Sequence, residues 1–319
     1  MSRSLSPRAR APFMTTPEEP RAEVIDSPVA AGSRAIAGLH SDWTFEASDA
    51  SLRVRLKRRL ALVRRKRPAP EFKVLKPLTR CALWFIYFVF APGGRISDSH
   101  RLALSRLKDM GASLMVVCAS ESPEQVPVEV IHAADAVYWK ALAGYDFSGY
   151  ALALHQVALC SPDADVFVMN DSVFGPFEDI RPLLSRARWD LTGFTAQDAT
   201  ENHLQSYAFM LRGVTLQRMV QLQSVFPGDW AFDRIHDVVL VQESQFARVA
   251  SESMTVGAFW YARERDVLDP VLVRPFELIE AGFPFLKKSL LGKMAHFQPT
   301  DRVVELLIKR GFFGAAWQR

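Results

Sequence analysis

Polar residues follow a buried apolar run near the middle of the chain. Residues 165–176 read Asp-Val-Phe-Val-Met-Asn-Asp-Ser-Val-Phe-Gly-Pro, and the run 166–169 is typical of a strand covered on both faces of its sheet. Asn170, Asp171 and Ser172 would then lie at the carboxyl end of that strand, where open α/β sheets bind ligands. The Asp171 carboxylate can bind a divalent cation there or contact a sugar, although an aspartate at a strand end also suits a simple turn or helix cap.

A second polar segment covers residues 140–150, Lys-Ala-Leu-Ala-Gly-Tyr-Asp-Phe-Ser-Gly-Tyr, between a predicted strand and a predicted helix. Lys140 is suited to a phosphate group, and a loop containing Gly144 and Asp146 is suited to the base and ribose of a nucleotide. The alternative is that Asp146 serves as an ordinary helix cap.

A third polar segment, residues 203–207, reads His-Leu-Gln-Ser-Tyr and enters a predicted strand. The side chains of His203, Gln205 and Ser206 can donate to and accept from sugar hydroxyls. A satisfied surface turn is the alternative interpretation of this segment.

The elements that must position these residues alternate between strands and helices from about residue 81. Strands are predicted at 81–90, 114–118, 136–139 and 166–169, and helices at 97–110 and 148–160. The second half is less regular, with helices predicted at 180–187, 214–225, 238–250, 271–281 and 303–309, and strands at 191–194, 207–211 and 254–259. Such alternation predicts an α/β protein with crossover units on a nucleotide-binding type of sheet.

Composition excludes several classes of protein. With 319 residues and 49% hydrophobic residues the chain can bury a sizeable core, yet no apolar run approaches the roughly 18 residues needed to span a bilayer. Cys81, Cys118 and Cys160 have no paired spacing and read as reduced core residues of a cytoplasmic protein. The dinucleotide, phosphate-loop, hydrolase-elbow and zinc-protease motifs are absent from the sequence.

Charge divides the chain unevenly. Residues 1–80 hold 17 Lys and Arg against 8 Asp and Glu, whereas the remainder holds 22 against 27. We predict a disordered tail over residues 1–40, a basic amphipathic helix and linker over 41–80, and one α/β domain over 81–319, whose halves are 81–175 and 176–319. The helix, residues 51–67, suits adhesion to an anionic membrane surface, a solvated linker, or non-specific nucleic-acid binding.

Four motifs together resemble the rhamnan synthesis F family, glycosyltransferases of bacterial rhamnose-containing polysaccharides. They are residues 144–150, 170–176, 203–207 and 282–287, in the family's order and spacing, with Trp-Asp-Leu-Thr-Gly-Phe-Thr at 189–195. The resemblance covers about residues 82–292. It implies a GT-A-like nucleotide-sugar fold with flanking helices, in which Asn170-Asp171-Ser172 replaces the usual Asp-x-Asp triplet.

The chain departs from this family at two positions before the Gly-Tyr-Asp-Phe loop. The family tends to have Arg and Asn there, whereas this chain has Lys140 and Leu142. Lysine keeps the charge without the bidentate fork of arginine, and leucine forms no hydrogen bond. A single carboxylate in the triplet also weakens the case for Mg²⁺ or Mn²⁺ at Asp171, so the sequence is compatible with both a metal-dependent and a metal-independent enzyme.

The resemblance implies transfer of a deoxysugar, L-rhamnose from dTDP-L-rhamnose or a similar donor, onto a bacterial polysaccharide or lipid-linked glycan. Inverting transfer needs a carboxylate base and positive charge at the leaving diphosphate. Glu243, which matches a family glutamate, is the predicted base, with Asp237 in reserve; Asp171 is the second catalytic candidate, and Lys287 is predicted to neutralise the phosphate. The enzyme is expected in the cytoplasm, at the inner face of the cell membrane.

Two other functions compete with this interpretation. A protein of the same fold could bind sugar nucleotides or glycans without catalysis, which Leu142 and the single-carboxylate triplet favour. A nucleic-acid-associated protein could use the basic stretch 53–80, although we expect no specific nucleic acid.

Overall fold

The structure is a computed structural model and describes residues 36–312. The predicted disordered tail, residues 1–40, lies outside the described residues except for its last five positions. Within residues 36–312, no helix is both long and apolar enough to cross a bilayer.

The strands of the described chain are β1 (Leu39–Thr44), β2 (Lys66–Pro68), β3 (Phe72–Lys76), β4 (Leu83–Phe90), β5 (Ser113–Ala119), β6 (Ala136–Lys140), β7 (Ala164–Asn170), β8 (Val173–Phe174), β9 (Leu191–Gln197), β10 (His203–Leu204), β11 (Ala208–Val214), β12 (Trp230–Phe232), β13 (Val256–Ala262) and β14 (Leu286–Lys287).

The α-helices are α1 (Leu52–Arg64), α2 (Asp98–Asp109), α3 (Val128–Ala133), α4 (Tyr145–Cys160), α5 (Arg181–Ser185), α6 (Leu216–Gln221), α7 (Ile235–Asp237), α8 (Ser244–Ser251), α9 (Pro270–Val273), α10 (Pro275–Glu280) and α11 (Thr300–Lys309). A π-helix, Val238–Glu243, joins α7 to α8. The predicted helix 238–250 is therefore one π-helical turn followed by an α-helix.

One large mixed sheet forms the centre of the fold. Its strand order is β1-β13-β9-β11-β7-β4-β5-β6-β3, and β10 pairs with β9 at one end. The pairs β4–β5, β4–β7, β5–β6 and β9–β13 are parallel, whereas β11 runs antiparallel to both of its neighbours. The predicted α/β class is confirmed: the protein has a large mixed central sheet flanked by helices.

Helices cover both faces of the sheet, as the continuous apolar strands require. In β4, Phe85 and Tyr87 face a core that includes Leu107 of α2, whereas Trp84 and Ile86 face a second core on the opposite side. That second core also contains apolar residues of α4, α6 and α8. Burial on both faces explains why the strand lacks a polar alternation.

The strand order reverses at β4. The chain passes from β4 through α2 to β5 and through α3 to β6, and then returns through α4 to β7 on the other side of β4. Because β4 and β7 are parallel neighbours, their carboxyl ends meet at the same edge of the sheet. A crevice at such a switch point is the usual ligand site of open α/β sheets.

The sheet extends beyond the domain start predicted at residue 81. Strand β1 pairs with β13, with Leu39 opposite Ala262, and β3 pairs with β6, with Phe72 opposite Lys140. These short strands satisfy the edge N–H and C=O groups of β13 and β6. The segment 41–80 is thus part of the α/β fold. It also contains the predicted helix, which is confirmed at Leu52–Arg64 with Ser51 as its N-cap.

Candidate functional site

A polar cavity of about 550 Å³ lies at the switch point. Nine of the eleven residues predicted for the site line it: Asp146, Asn170, Asp171, Ser172, His203, Gln205, Ser206, Glu243 and Lys287. They come from the start of α4, the end of β7, the β10–β11 segment, the π-helix and β14. The fold therefore brings the three polar segments and the Lys287 motif into one cavity.

Asn170 connects two of these segments. It is buried at the end of β7, and its Nδ2 donates to Asp146 Oδ2 at 2.7 Å. Its Oδ1 accepts from the Ser172 backbone N–H at 3.0 Å and from the Ser172 hydroxyl at 2.6 Å. An amide is well suited to this position because it donates to a carboxylate on one side and accepts on the other.

Asp171 is held by two donors from the neighbouring strand and helix. Its Oδ2 accepts from the Phe90 backbone N–H at 2.8 Å and lies 3.1 Å from His100 Nε2. The Ser97 backbone N–H donates to His100 Nδ1 at 2.9 Å, so Nε2 carries the proton and donates to Asp171. Sequence analysis missed His100, because a histidine three residues after Ser97 resembles no standard capping pair.

Asp146 lies in the first turn of α4, behind a glycine with left-handed backbone. Gly144 has φ of 86°, a value that L side chains rarely adopt, and its N–H donates to Asp233 Oδ1 at 2.9 Å. Burial, followed by the nearby Glu243 carboxylate, raises the pKa of Asp146 to about 6. Gly144 itself lies outside the polar cavity; its backbone conformation allows this turn, and it lines the neighbouring cavity described below.

Glu243 ends the π-helix and faces the β10–β11 segment. Its Oε1 accepts from both the backbone N–H and the hydroxyl of Ser206 at 2.9 Å. The Ser206 carbonyl in turn accepts from the Tyr150 hydroxyl at 3.1 Å. Among the described residues, no donor is bonded to the other carboxylate oxygen of Glu243, so that oxygen can accept from a ligand.

The His203 segment is held by its own hydrogen bonds. His203 Nδ1 lies 2.8 Å from the Glu201 carbonyl, which makes Nδ1 the donor and leaves Nε2 as an acceptor in the neutral ring. Gln205 Nε2 donates to Asp269 Oδ1 at 3.2 Å. Burial raises the pKa of Asp269, and Lys287 acts against this shift. Sequence analysis did not select Asp269, although it lines the same cavity.

Three lysines contribute positive charge to the polar cavity. Lys287 lies opposite Val173 in the β14–β8 pair, and the Lys288 N–H donates to the Ser172 carbonyl at 2.9 Å. Lys287 Nζ is 4.0 Å from the centre of the Tyr207 ring. Burial lowers the pKa of both Lys287 and Lys288, and neighbouring carboxylates oppose the shift. Lys293 is exposed at the same cavity.

Lys140 is not among these lysines, and its predicted role at a phosphate needs correction. Its ammonium group donates to the carbonyls of Ala141 and Ala143 at 2.8 and 2.7 Å and is buried. Burial lowers the pKa of Lys140 to about 8. These two hydrogen bonds hold the loop that follows β6, so Lys140 supports the loop and does not line the polar cavity.

Asp237, the reserve candidate for the base, also lies outside the cavity. It is fully buried, and its Oδ1 accepts from Arg65 Nη1 at 2.6 Å. Its carboxylate therefore fastens the end of α1 to α7 and is not available to a substrate.

A second cavity of about 580 Å³, which we call the aromatic cavity, adjoins the first. Phe88, Phe90 and Tyr145 line it together with Leu142. Asp146, Asn170, Asp171 and Ser172 line both cavities. The site thus has an apolar compartment with planar side chains beside a compartment with carboxylates, an amide and lysines.

Comparison with known proteins adds little to this description. No model of a known protein family matches the chain, and no curated protein matches it. HddC from Yersinia pseudotuberculosis is 10% identical over 55% of this chain and 89% of its own, with a TM-score of 0.32. The same protein complexed with GMP-PN is 12% identical over the same shares, with a TM-score of 0.29. At these TM-scores the likeness assigns neither a fold nor an activity to this chain.

Proposed function

We propose that the protein is a glycosyltransferase with a GT-A-like fold that uses a nucleoside-diphosphate sugar. The observation that carries the proposal is the pair of adjoining cavities at the switch point, one lined by aromatic rings and one lined by Glu243 together with the half-buried Lys287 and Lys288. The resemblance of four motifs to the rhamnan synthesis F family supports a deoxysugar donor such as dTDP-L-rhamnose and a polysaccharide or lipid-linked acceptor.

The aromatic cavity is suited to the nucleoside. A planar base can stack against Phe88, Phe90 or Tyr145, and the shared Asp146 carboxylate can accept from ribose hydroxyls. The diphosphate then extends into the polar cavity, toward Lys287 and Lys288. A bound anion favours the charged form of both lysines, which burial alone disfavours.

The polar cavity is suited to the transfer step. Glu243 takes the proton of an acceptor hydroxyl, whose oxygen forms a bond to the anomeric carbon of the sugar. The bond from that carbon to the diphosphate oxygen breaks, and its electron pair leaves with the diphosphate, whose charge Lys287 and Lys288 stabilise. His203, Gln205 and Ser206 are placed to bind hydroxyls of the sugars.

The polar cavity offers few protein ligands to a divalent cation. Among residues 36–312, no group of three or more His, Cys, Asp or Glu side chains is arranged to hold a metal ion. Asp171 has one oxygen occupied by Phe90 and His100, so it can offer its other oxygen. Mg²⁺ is commonly bound by one carboxylate together with phosphate oxygens and water, and it would supply further positive charge at the diphosphate.

A non-catalytic sugar-nucleotide-binding protein is the second candidate. Two features favour a protein without catalysis. Hydrogen bonds from Phe90 and His100 already occupy one oxygen of Asp171, and Leu142 stands where an amide could bind a ligand. Such a protein would bind the donor in the same cavities without transferring the sugar.

The two candidates are separated by ligand-dependent melting and a transfer assay. We expect a nucleoside-diphosphate sugar at about 100 times its dissociation constant to stabilise the fold by about 2.7 kcal/mol. The screen compares thymidine, uridine and guanosine donors with and without Mn²⁺. Absence of a shift with every donor would reject both candidates.

Glu243→Gln tests catalysis. We expect transfer, or slow donor hydrolysis, to fall about 100-fold or more, with donor-induced stabilisation retained, because the amide cannot take a proton. The matched control is Glu252→Gln, an exposed glutamate nine positions further along the chain. Equal turnover by the Glu243 variant and wild type would remove Glu243 from the mechanism, and binding without any wild-type turnover would favour the non-catalytic protein.

A further inference from the structure

Helix α1 presents an apolar stripe to solvent. Leu52, Leu56, Leu60 and Val63 are 82%, 70%, 41% and 82% exposed. Their spacings of four, four and three residues place them on one side of an α-helix. Four large apolar side chains aligned in this way differ from the singly scattered apolar residues of an ordinary surface.

The opposite side of α1 is fastened to the protein. Ala61 and Arg58 are buried, Arg58 Nε donates to the Leu240 carbonyl at 2.8 Å, and Arg58 Nη2 donates to the Ser244 hydroxyl at 2.9 Å. Arg58 also pairs with the buried Glu201 carboxylate. These contacts fix the rotation of the helix, so the apolar stripe cannot turn inward.

Basic side chains flank the apolar stripe on both sides. At 100° per residue, Arg53, Lys57 and Arg64 lie on one flank, and Arg55 and Arg59 lie on the other. All five are exposed. The helix therefore has three longitudinal zones around the side that faces away from the protein: basic, apolar and basic.

We propose that α1 binds the surface of an anionic lipid bilayer. An apolar stripe that inserts to the depth of the acyl boundary, with arginine and lysine beside it at the level of the headgroups, is the arrangement of an interfacial helix. Nucleic acid would bind the arginines through its phosphates, but this binding does not account for the four exposed aliphatic side chains on one side of the helix. The charge and the stripe together favour lipid.

The position of α1 connects this surface to the cavities. Arg58 binds the carbonyl of Leu240 in the π-helix, and Val239 and Glu243 of the same π-helix line the polar cavity. A lipid-linked acceptor could thus meet the protein beside its polar cavity. This consequence rests on the proposed function, whereas lipid binding by α1 does not.

Vesicle sedimentation with the full-length protein tests the proposal. We expect binding to vesicles of phosphatidylcholine mixed with phosphatidylglycerol, weakening with added salt, and little binding to vesicles of phosphatidylcholine alone. The variant Leu56→Ser/Val63→Ser should bind the mixed vesicles about tenfold more weakly. The matched control Val128→Ser/Leu159→Ser changes two side chains that are each 58% exposed elsewhere and should bind like wild type.

A charge variant separates lipid from nucleic acid. Arg53→Glu/Lys57→Glu should lose vesicle binding while its thermal melting and donor-induced stabilisation stay as in wild type. Unchanged vesicle binding by the Leu56/Val63 variant would overturn the proposal. The proposal would also be overturned if the wild-type protein bound neither kind of vesicle and bound duplex DNA through Arg53 and Lys57.

Discussion

At the residue scale, the polar cavity holds carboxyl and ammonium groups that burial drives toward their neutral forms. Burial raises the pKa of Asp146 and Asp269 and lowers that of Lys287. Perturbed groups of both signs around one cavity are typical of functional sites, because a ligand can supply the charge or the hydrogen bonds that water no longer supplies. An anionic ligand bound beside Lys287 would therefore favour the charged form of this lysine.

The pKa of Asp146 predicts how stability depends on pH. Its ordinary value of 3.8 is raised to about 6, so between these values the folded protein keeps a proton that the unfolded chain releases. The free energy of unfolding therefore decreases as pH rises from about 4 to about 6, by up to about 3 kcal/mol from this group. Asp146→Asn should remove the decrease.

Chemical denaturation at about pH 4 and about pH 7 measures this effect. We expect Asp146→Asn to stabilise the protein relative to wild type at the higher pH and to change it little at the lower pH. The control Asp109→Asn replaces an exposed aspartate of α2 and should show no such difference. Equal effects of Asp146→Asn at both values would contradict the assigned pKa.

At the element scale, the π-helix decides where Glu243 lies. Sequence periodicity predicts one helix over 238–250, whereas the structure inserts a π-helical segment, Val238–Glu243, before α8. Arg58 of α1 and the Ser244 hydroxyl both donate to the Leu240 carbonyl within it. Inserted side chains of this kind are a recognised cause of irregular helix geometry, and π-segments frequently lie at functional sites.

Arg58 should therefore be important for stability. Arg58→Met leaves the buried Glu201 carboxylate without its main partner and removes two hydrogen bonds, so we expect a loss of about 3 kcal/mol in the free energy of unfolding. The control Arg59→Met replaces the adjacent exposed arginine and should change stability by less than about 0.5 kcal/mol.

A double variant shows how much of this loss comes from the unpaired carboxylate. Arg58→Met/Glu201→Gln should be more stable than the sum of the two single changes predicts, by about 1–3 kcal/mol, because neither charge is left buried alone. Additive effects would show that Arg248, 3.7 Å from Glu201, already compensates the carboxylate.

At the scale of the whole molecule, the N-terminal segment closes both edges of the sheet. Strand β1 covers β13, where Trp43 stacks on Tyr261 with ring centres 4.3 Å apart, and β3 covers β6. An interpretation of residues 41–80 as a linker overlooks these strands, because both are short and β3 carries lysines, as edge strands often do.

Deletion of residues 1–80 should therefore damage the fold. It removes β1, α1 and β3 together and exposes the edges of β13 and β6. We expect the truncated chain to lose its cooperative thermal transition by circular dichroism and to aggregate, while the full-length chain melts cooperatively. A truncated protein that melts cooperatively near the wild-type temperature would show that the edge strands are dispensable.

Local sequence patterns are sufficient to predict the α/β alternation, the central strands and the polar segments of the site. These features are local: long apolar runs identify buried strands, and polar residues directly after them lie at strand ends. This pattern identifies Asn170 and Asp171, and a polar loop before a predicted helix identifies Asp146, whereas Glu243 is predicted as an acid within an apolar stretch that matches a glutamate of the resembling family; all four line the polar cavity.

The contacts between distant segments of the chain become visible in the folded protein. His100 holds Asp171 across 71 residues, Asp269 joins Gln205, and Lys288 reaches the triplet through the pairing of two short strands. Lys140 supports a loop because its side chain points to two backbone carbonyls, whose positions are fixed in the folded chain. Side-chain direction and distant pairing follow from packing, and local sequence patterns do not contain them.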